Sequence, residues 1–252
     1  MNQVNKPELW RSRYPVPAGN GHKYDRGSAV IYGAPELTGA TRLAASACAR
    51  MGAGLTTVLC TLETAVIYRS SLPAHIMVRD DLHWNDSRVS ARAYGCGGLA
   101  RGVKIKTSGA AVLDAQALLS LPEGLHENIV LTPHEGEFAK AFPAISGSRE
   151  ERAVKAAQAT GAVVVLKGAK TVIVHPDGRV VVQGESSPYL ASAGTGDVLA
   201  GMITGLLAQG MGGFDAACAA VWIHAQAGQK LGAGLVASDL PDIIPEIIKD
   251  FA

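Results

Sequence analysis

Residues 193–203 read Ala193-Gly194-Thr195-Gly196-Asp197-Val198-Leu199-Ala200-Gly201-Met202-Ile203. Two glycines and a threonine stand at the mouth of an apolar helix, with a carboxylate in its first turn. The first amides of a helix have no intrahelical acceptor and the dipole makes that end positive, so such a mouth holds anions. A carboxylate placed there can cap the helix. Where an anionic group is transferred to an alcohol, it can also take the proton of the attacking hydroxyl. The pattern points to phosphoryl chemistry on an alcohol. A plain cap explains it less well, because Gly-Thr-Gly carries a conformational entropy cost that a cap does not require. Gly201 and Gly205 should let this helix pack tightly against a sheet.

Four other polar, glycine-rich segments end apolar strands or open helices. The loop Gly33 to Ala40 follows the apolar run Ser28–Gly33, and alone it reads as an ordinary strand-to-helix turn. Gly95-Cys96-Gly97-Gly98 permits either close approach of a ligand to backbone or a left-handed turn. Thr132-Pro133-His134-Glu135-Gly136-Glu137 leaves a strand with His134 and Glu137 free to reach outward. It is not a zinc helix, because Phe138 stands where the second histidine of H-E-x-x-H would be. Lys167-Gly168-Ala169-Lys170-Thr171 lies between two apolar strands, where Lys167 could approach phosphates. It lacks the P-loop spacing, and its plain reading is a β-turn with solvated lysines.

These segments need elements to position them. Ser28–Gly33, the alanine-rich helix Ala40–Met51 and the strand Leu55–Cys60 make a βαβ unit. Residues 82–92 read as a polar loop. Short strands follow at 110–113, 128–131 and 162–166, with a helix over 150–160. Two β-branched runs flank His175-Pro176-Asp177-Gly178, a strong antiparallel hairpin signal. Helices are expected over 197–209 and 214–231. The fold class is therefore α/β, with a mostly parallel central sheet flanked by helices and an antiparallel hairpin at one edge. In such sheets ligands bind at the carboxyl ends of the strands, where all five segments would converge. A single domain over 1–252 is expected, with 1–21 as an N-terminal extension.

The 252 residues carry a formal net charge of +1, from 23 basic and 22 acidic side chains. That balance excludes the electrostatic footprint of a nucleic-acid binder, and Arg101 to Lys106 reads as a solvated face. The four cysteines show no C-x-x-C spacing, so neither a zinc site nor a redox motif is indicated. Met1 to Gly27 lacks the apolar core of a signal peptide, and His224 and Gln226 interrupt the longest apolar run. A cytoplasmic protein with no membrane partner is expected.

Several longer stretches belong together. They are His22-Lys23-Tyr24-Asp25-Arg26-Gly27, Thr38-Gly39-Ala40, Arg50-Met51-Gly52-Ala53-Gly54-Leu55, Val112-Leu113-Asp114-Ala115, Leu131 to Glu137, Val165 to Ala169 and Gly194 to Gly201. With His224 and Ala237-Ser238-Asp239-Leu240, this set resembles the ADP/ATP-dependent NAD(P)H-hydrate dehydratase family, a branch of the ribokinase-like superfamily. The resemblance runs from about residue 22 to 248. It implies a ribokinase-like fold and removal of water from the hydrated nicotinamide ring of NADHX or NADPHX. That reaction is coupled to hydrolysis of ADP in most prokaryotic members and of ATP in eukaryotic ones. ADP is the expected nucleotide here, with Mg²⁺ bridging its phosphates through ligands the sequence does not identify.

By the same resemblance, Asp197 is the base and also touches substrate, and Ala40, Gly97 and His134 contact the hydrated nucleotide. Lys167, Gly168, Ala169, Lys170, Thr171 and Gly196 surround the adenine nucleotide. The amides of Gly194, Thr195 and Gly196 hold the developing phosphate charge. A homo-oligomer is expected, and the N-terminal epimerase domain that many bacterial members carry is not expected in this chain. The chain departs from the family pattern at Ala193 (glycine), Cys96 (proline) and Gln116 (a carboxylate), and the stretch from Gly98 to Asp114 leaves no room for a full helix. Two other readings remain: a ribokinase-like kinase of a small vitamin-precursor alcohol, and a nucleotide-binding paralogue with little catalysis.

Overall fold

The computed structural model describes residues 3–184 and 186–249. Apolar runs fold as strands β1 (Gln3–Val4), β2 (Ser28–Tyr32), β3 (Leu55–Leu59), β4 (Ile76–Arg79), β5 (Val89–Tyr94), β6 (Ala110–Leu113), β7 (Ile129–Leu131), β8 (Val163–Leu166), β9 (Val172–Val174) and β10 (Val180–Val182). They form one sheet in the order β1-β10-β9-β8-β7-β6-β5-β2-β3-β4. Only β9 runs against the rest, pairing antiparallel with both β8 and β10. The hairpin is where the sequence placed it, but β1 lies outside it, parallel to β10. Of the segment read as an extension, residues 3–14 join the fold. Trp10 is fully buried, and Asn5 donates to Gln183 Oε1 at 2.9 Å and to the Cys218 carbonyl at 2.8 Å.

The helices are α1 (Thr38–Arg50), α2 (Leu62–Ser71), α3 (Glu135–Ala141), α4 (Arg149–Thr160), α5 (Thr195–Ala208), α6 (Gly213–Leu231) and α7 (Leu240–Ile248). Side chains alternate along a strand, so β2 feeds two cores. Ala29 and Ile31 join the layer built on α1, α5 and α6, whereas Val30 and Tyr32 join the layer holding Phe138 and Ala153. The chain runs β2-β3-β4 in one direction and then returns, placing β5 on the other side of β2. Ligand sites of open α/β sheets lie at such a switch point. The loops after β2 and β5 meet there, and a Cβ on Gly97 would come within 2.8 Å of the Ala40 methyl.

The region 82–92 is only partly the expected loop, because β5 begins at Val89. Its Val-Ser-Ala-Arg-Ala-Tyr sequence looks solvated, yet Arg92 is 8% exposed and reaches Asn85 at 3.4 Å. Pairing with β2 and β6 overrides local polarity.

Helix α5 is buried on every face from Val198 to Ala208, as a helix apolar all round must be. Its glycines meet α1 and not the sheet. A Cβ on Gly201 would run into the Ala44 carbonyl, and one on Gly205 would lie 2.6 Å from the Cys48 carbonyl. The two helices therefore touch through backbone, which fixes the mouth of α5. Gly201→Ala should lower stability by about 1–3 kcal/mol, the usual range for an overpacked core. A thermal or urea melt checks this, and an unchanged midpoint would show that the helices can part without loss.

Candidate active site

Gly194 caps α5 with φ 89°, a left-handed backbone that suits glycine. No side chain caps the helix. The amides of Gly196 and Asp197 therefore face outward without an intrahelical acceptor. The Thr195 hydroxyl donates to the Leu190 carbonyl at 2.7 Å and lies 3.0 Å from the Ser192 carbonyl, so it ties the preceding segment to the mouth. From α6, His224 Nε2 donates to the Thr195 carbonyl at 3.0 Å. Burial pushes the His224 pKa down to about 4, so this donor is a neutral imidazole.

Beside the mouth stands a cluster drawn from the ends of three strands and one short helix. Lys167 Nζ lies 2.8 Å from Asp114 Oδ1 and 3.7 Å from Glu137 Oε2. The Thr132 hydroxyl donates to the same Asp114 oxygen at 2.8 Å. Burial alone would lower the Lys167 pKa; the Asp114 carboxylate, aided by Glu137, outweighs it and the net shift is upward. Lys167 is therefore a fixed cation, and a Cβ on Gly196 would lie only 3.3 Å from its Nζ. Asp197 behaves in the opposite way. Burial, reinforced by Asp114, pushes its carboxyl up to about 6, against the pull of Lys167 and a hydrogen bond from the Cys96 thiol. A carboxyl of that pKa is ionised at neutral pH and basic enough to accept a proton.

A cavity of about 660 Å³ adjoins the mouth. It is lined by Lys167, Gly168, Ala169 and Thr171 on one side and by Thr195, Gly196 and His224 on another, with His134 at its edge. Ala40 and Gly97 lie together at the switch point, next to Cys96, whose carbonyl accepts from Thr41 Oγ1 at 3.1 Å. Asp197, hydrogen-bonded to Cys96 and flanked by Lys167, is where the two groups of residues meet. Three of the expected side chains are engaged differently from a simple ligand contact. His134 is the N-cap of α3, its Nδ1 accepting from the Gly136 and Glu137 amides at 3.0 and 3.3 Å. Thr171 Oγ1 closes the 168–171 turn on itself. Lys170 is exposed and outside the cavity wall.

Arg149, Asp114 and Glu137 were not among the expected site residues. Asp114 and Glu137 had a signal, since each follows an apolar strand closely. Arg149 had none in its local sequence. From the first turn of α4 its guanidinium lies on Gly168 and donates to the Leu166 and Lys167 carbonyls at 2.8 and 2.6 Å. It clamps the turn that carries Lys167, and a side chain on Gly168 would collide with it.

Donor atoms of Cys96, Asp114 and Asp197 lie within 4.8 Å of one another. The set does not fit Mg²⁺, which takes six oxygens in a near-regular octahedron. One donor is a thiol, and the Lys167 ammonium already occupies the Asp114 oxygen.

The departures from the family pattern are locally accommodated. Ala193 is exposed, so its methyl crowds nothing buried. Residues 99–108 contain no helix, as the short spacing required. Gln116 Oε1 accepts from the Leu99 amide at 2.8 Å, fastening that loop. Gln116→Asp should therefore change turnover by less than about threefold, under roughly 0.7 kcal/mol of barrier. A tenfold rise in steady-state turnover would instead make the lost carboxylate part of the chemistry.

The family model described as NAD(P)H-hydrate dehydratase matches residues 28–250. The chain belongs to this family. The ADP-dependent (S)-NAD(P)H-hydrate dehydratase of Neisseria meningitidis is 33% identical, covering 93% of this chain and 88% of its own length. A bifunctional NAD(P)H-hydrate repair enzyme of Moorella thermoacetica is 36% identical over 95% of this chain but 52% of its own, so the chain spans about half the length of such bifunctional relatives. The ADP/ATP-dependent NAD(P)H-hydrate dehydratase from Bacillus subtilis, co-crystallised with ATP and Mg²⁺, superposes with a TM-score of 0.87 at 27% identity, covering 100% of this chain and 99% of that one. Hydroxyethylthiazole kinase from Pyrococcus horikoshii shares the ribokinase-like fold alone, at a TM-score of 0.59 and 15% identity. Among the described residues of this family member, no helix is long and apolar enough to cross a membrane.

Proposed function

We propose that the chain removes water from the hydrated nicotinamide ring of NADHX or NADPHX and restores NADH or NADPH, consuming ADP or ATP. The observation that carries this reading is the placement of Asp197. A half-buried carboxyl with its pKa pushed up to about 6 stands in the first turn of α5, between the Ala40–Gly97 contact and the Lys167 turn.

Hydroxide is a poor leaving group, so the ring hydroxyl must first be converted to a better one. Asp197 takes the hydroxyl proton while the oxygen bonds to the terminal phosphorus of the nucleotide and the bond to the bridging oxygen breaks. The Gly196 and Asp197 amides with Lys167 then hold the charge spread over the phosphoryl oxygens. The ring nitrogen lone pair expels orthophosphate, and a proton leaves the adjacent ring carbon to restore the double bond. In this reading the adenine nucleotide occupies the 660 Å³ cavity, against Gly168 and Ala169. Asp114 and Asp197 do not make a ligand pair for Mg²⁺, so an ion that assisted phosphoryl transfer would have to come with the nucleotide. A reducing, cytoplasmic setting suits the four buried free cysteines.

Incubation with NADHX and either ADP or ATP tests the reading. Orthophosphate and the ultraviolet absorbance of the dihydronicotinamide should rise together. Release of a phosphorylated alcohol from another substrate, with no recovery of NADH, would replace it with a small-alcohol kinase.

A further inference from the structure

A second cavity, of about 280 Å³, lies on the outer face of α1. Arg42, Ser46 and Arg50 form one wall, His75 the next, and Ser238 and Asp242 the third. Arg42 has no hydrogen-bond or ion-pair partner among the described residues. Arg50 is held by Asp242 at 2.8 Å, the one carboxylate in the described lining. The cavity is thus cationic and only partly neutralised.

Its position connects it to the mouth of α5. Leu43 lines it, and a Cβ on Gly194 would lie 2.6 Å from Leu43 Cδ1. Gly39 lines it too, one residue before Ala40 at the switch point. The first cavity reaches the same mouth from the Lys167 turn.

The reaction needs two nucleotides bound at once. A cavity of about 660 Å³ suits a single ligand. With the adenine nucleotide there and the hydrated ring at Asp197, the remainder of the dinucleotide must leave the mouth by another side. A third cavity, at Trp222 and Lys230 between α6 and α7, is lined by no residue of the mouth.

We propose that the cavity on α1 binds phosphate groups of the dinucleotide substrate, with Arg42 as the principal contact. The inference rests on the reaction proposed above. Phosphate could come from the pyrophosphate common to both substrates or from the 2′-phosphate of NADPHX alone.

Steady-state kinetics with each substrate test it. Arg42→Gln should raise the KM for hydrated dinucleotide roughly tenfold, the loss of one charge-assisted hydrogen bond, and leave kcat and the KM for ADP or ATP unchanged. Ser46→Asp, which adds a carboxylate to the wall, should act in the same direction. Asp242→Asn should lower KM, because it removes the opposing charge and frees Arg50. An effect on both substrates assigns the pyrophosphate; an effect on NADPHX alone assigns the 2′-phosphate. Unchanged KM for both substrates in Arg42→Gln and Ser46→Asp would overturn the inference.

Calorimetric titration with NADP⁺ separates this failure from that of the reaction. A wild type that restores no NADH contradicts the reaction. Equal NADP⁺ affinity in wild type and Arg42→Gln contradicts the phosphate site whatever the turnover.

Discussion

Asp197→Asn is expected to cut turnover by about 10²–10⁴-fold, the usual worth of a positioned base, and at the same time to make the protein more stable at neutral pH. The first effect follows from chemistry, since an amide cannot take the hydroxyl proton. The second follows from burial. The Asp197 carboxyl is raised from 3.8 to about 6 in the folded protein. An acid whose folded pKa is raised destabilises the fold once ionised. This group's contribution to stability is most favourable below pH 3.8, falls as pH rises toward 6, and is level above it. At neutral pH the ionised group costs on the order of 2–3 kcal/mol, which asparagine would relieve. Thermal melts at pH 7 should therefore show a higher midpoint for the variant. For the wild type, kcat/KM should fall about tenfold per pH unit below pH 6, because only the ionised base of the free protein works. A variant that is both inactive and unfolded would say nothing for the base; an inactive, stabilised one separates catalysis from folding.

Lys167→Met is expected to lower turnover by roughly 10²–10³-fold, the usual effect of removing one preorganised contact to a developing anion. It should also destabilise the fold by about 3 kcal/mol, because it leaves a buried carboxylate unpaired. Asp114 is 3% exposed and keeps only its Thr132 hydrogen bond once Lys167 is gone. Lys167 also lowers the Asp197 pKa, so its loss should move the acid limb of the pH profile upward. Lys167→Met combined with Asp114→Asn distinguishes the two roles. The pair should recover most of the lost stability and little of the lost activity, measured by urea melts and steady-state kinetics. Recovery of activity along with stability would mean that Lys167 only balances charge.

Much of this site is legible in the sequence, and the reasons differ by residue. The mouth of α5 is readable because capping and anion binding are local properties of Gly-Thr-Gly-Asp. The Lys167 turn is readable because it interrupts two apolar β-branched runs. Contacts made across the chain are not readable. Arg149 clamps Leu166 and Lys167 from a different helix, and nothing around it marks that use. The Thr195 hydroxyl looks free for an anion, yet it is engaged by carbonyls at Leu190 and Ser192. His134 looks like an outward-reaching side chain, but it closes a capping box with Glu137. The same limit hid β1 and the start of β5, which are strands because of their partners and not because of their own composition.

The most direct measurement follows the oxygen atom that leaves the ring. NADHX can be prepared with heavy oxygen in its ring hydroxyl and turned over with unlabelled ADP or ATP. If Asp197 directs that hydroxyl onto phosphorus, the heavy oxygen ends in orthophosphate, one atom for each NADH restored. Heavy oxygen recovered in water, with unlabelled orthophosphate, would mean that nucleotide hydrolysis and dehydration are separate events and that the ring is never phosphorylated.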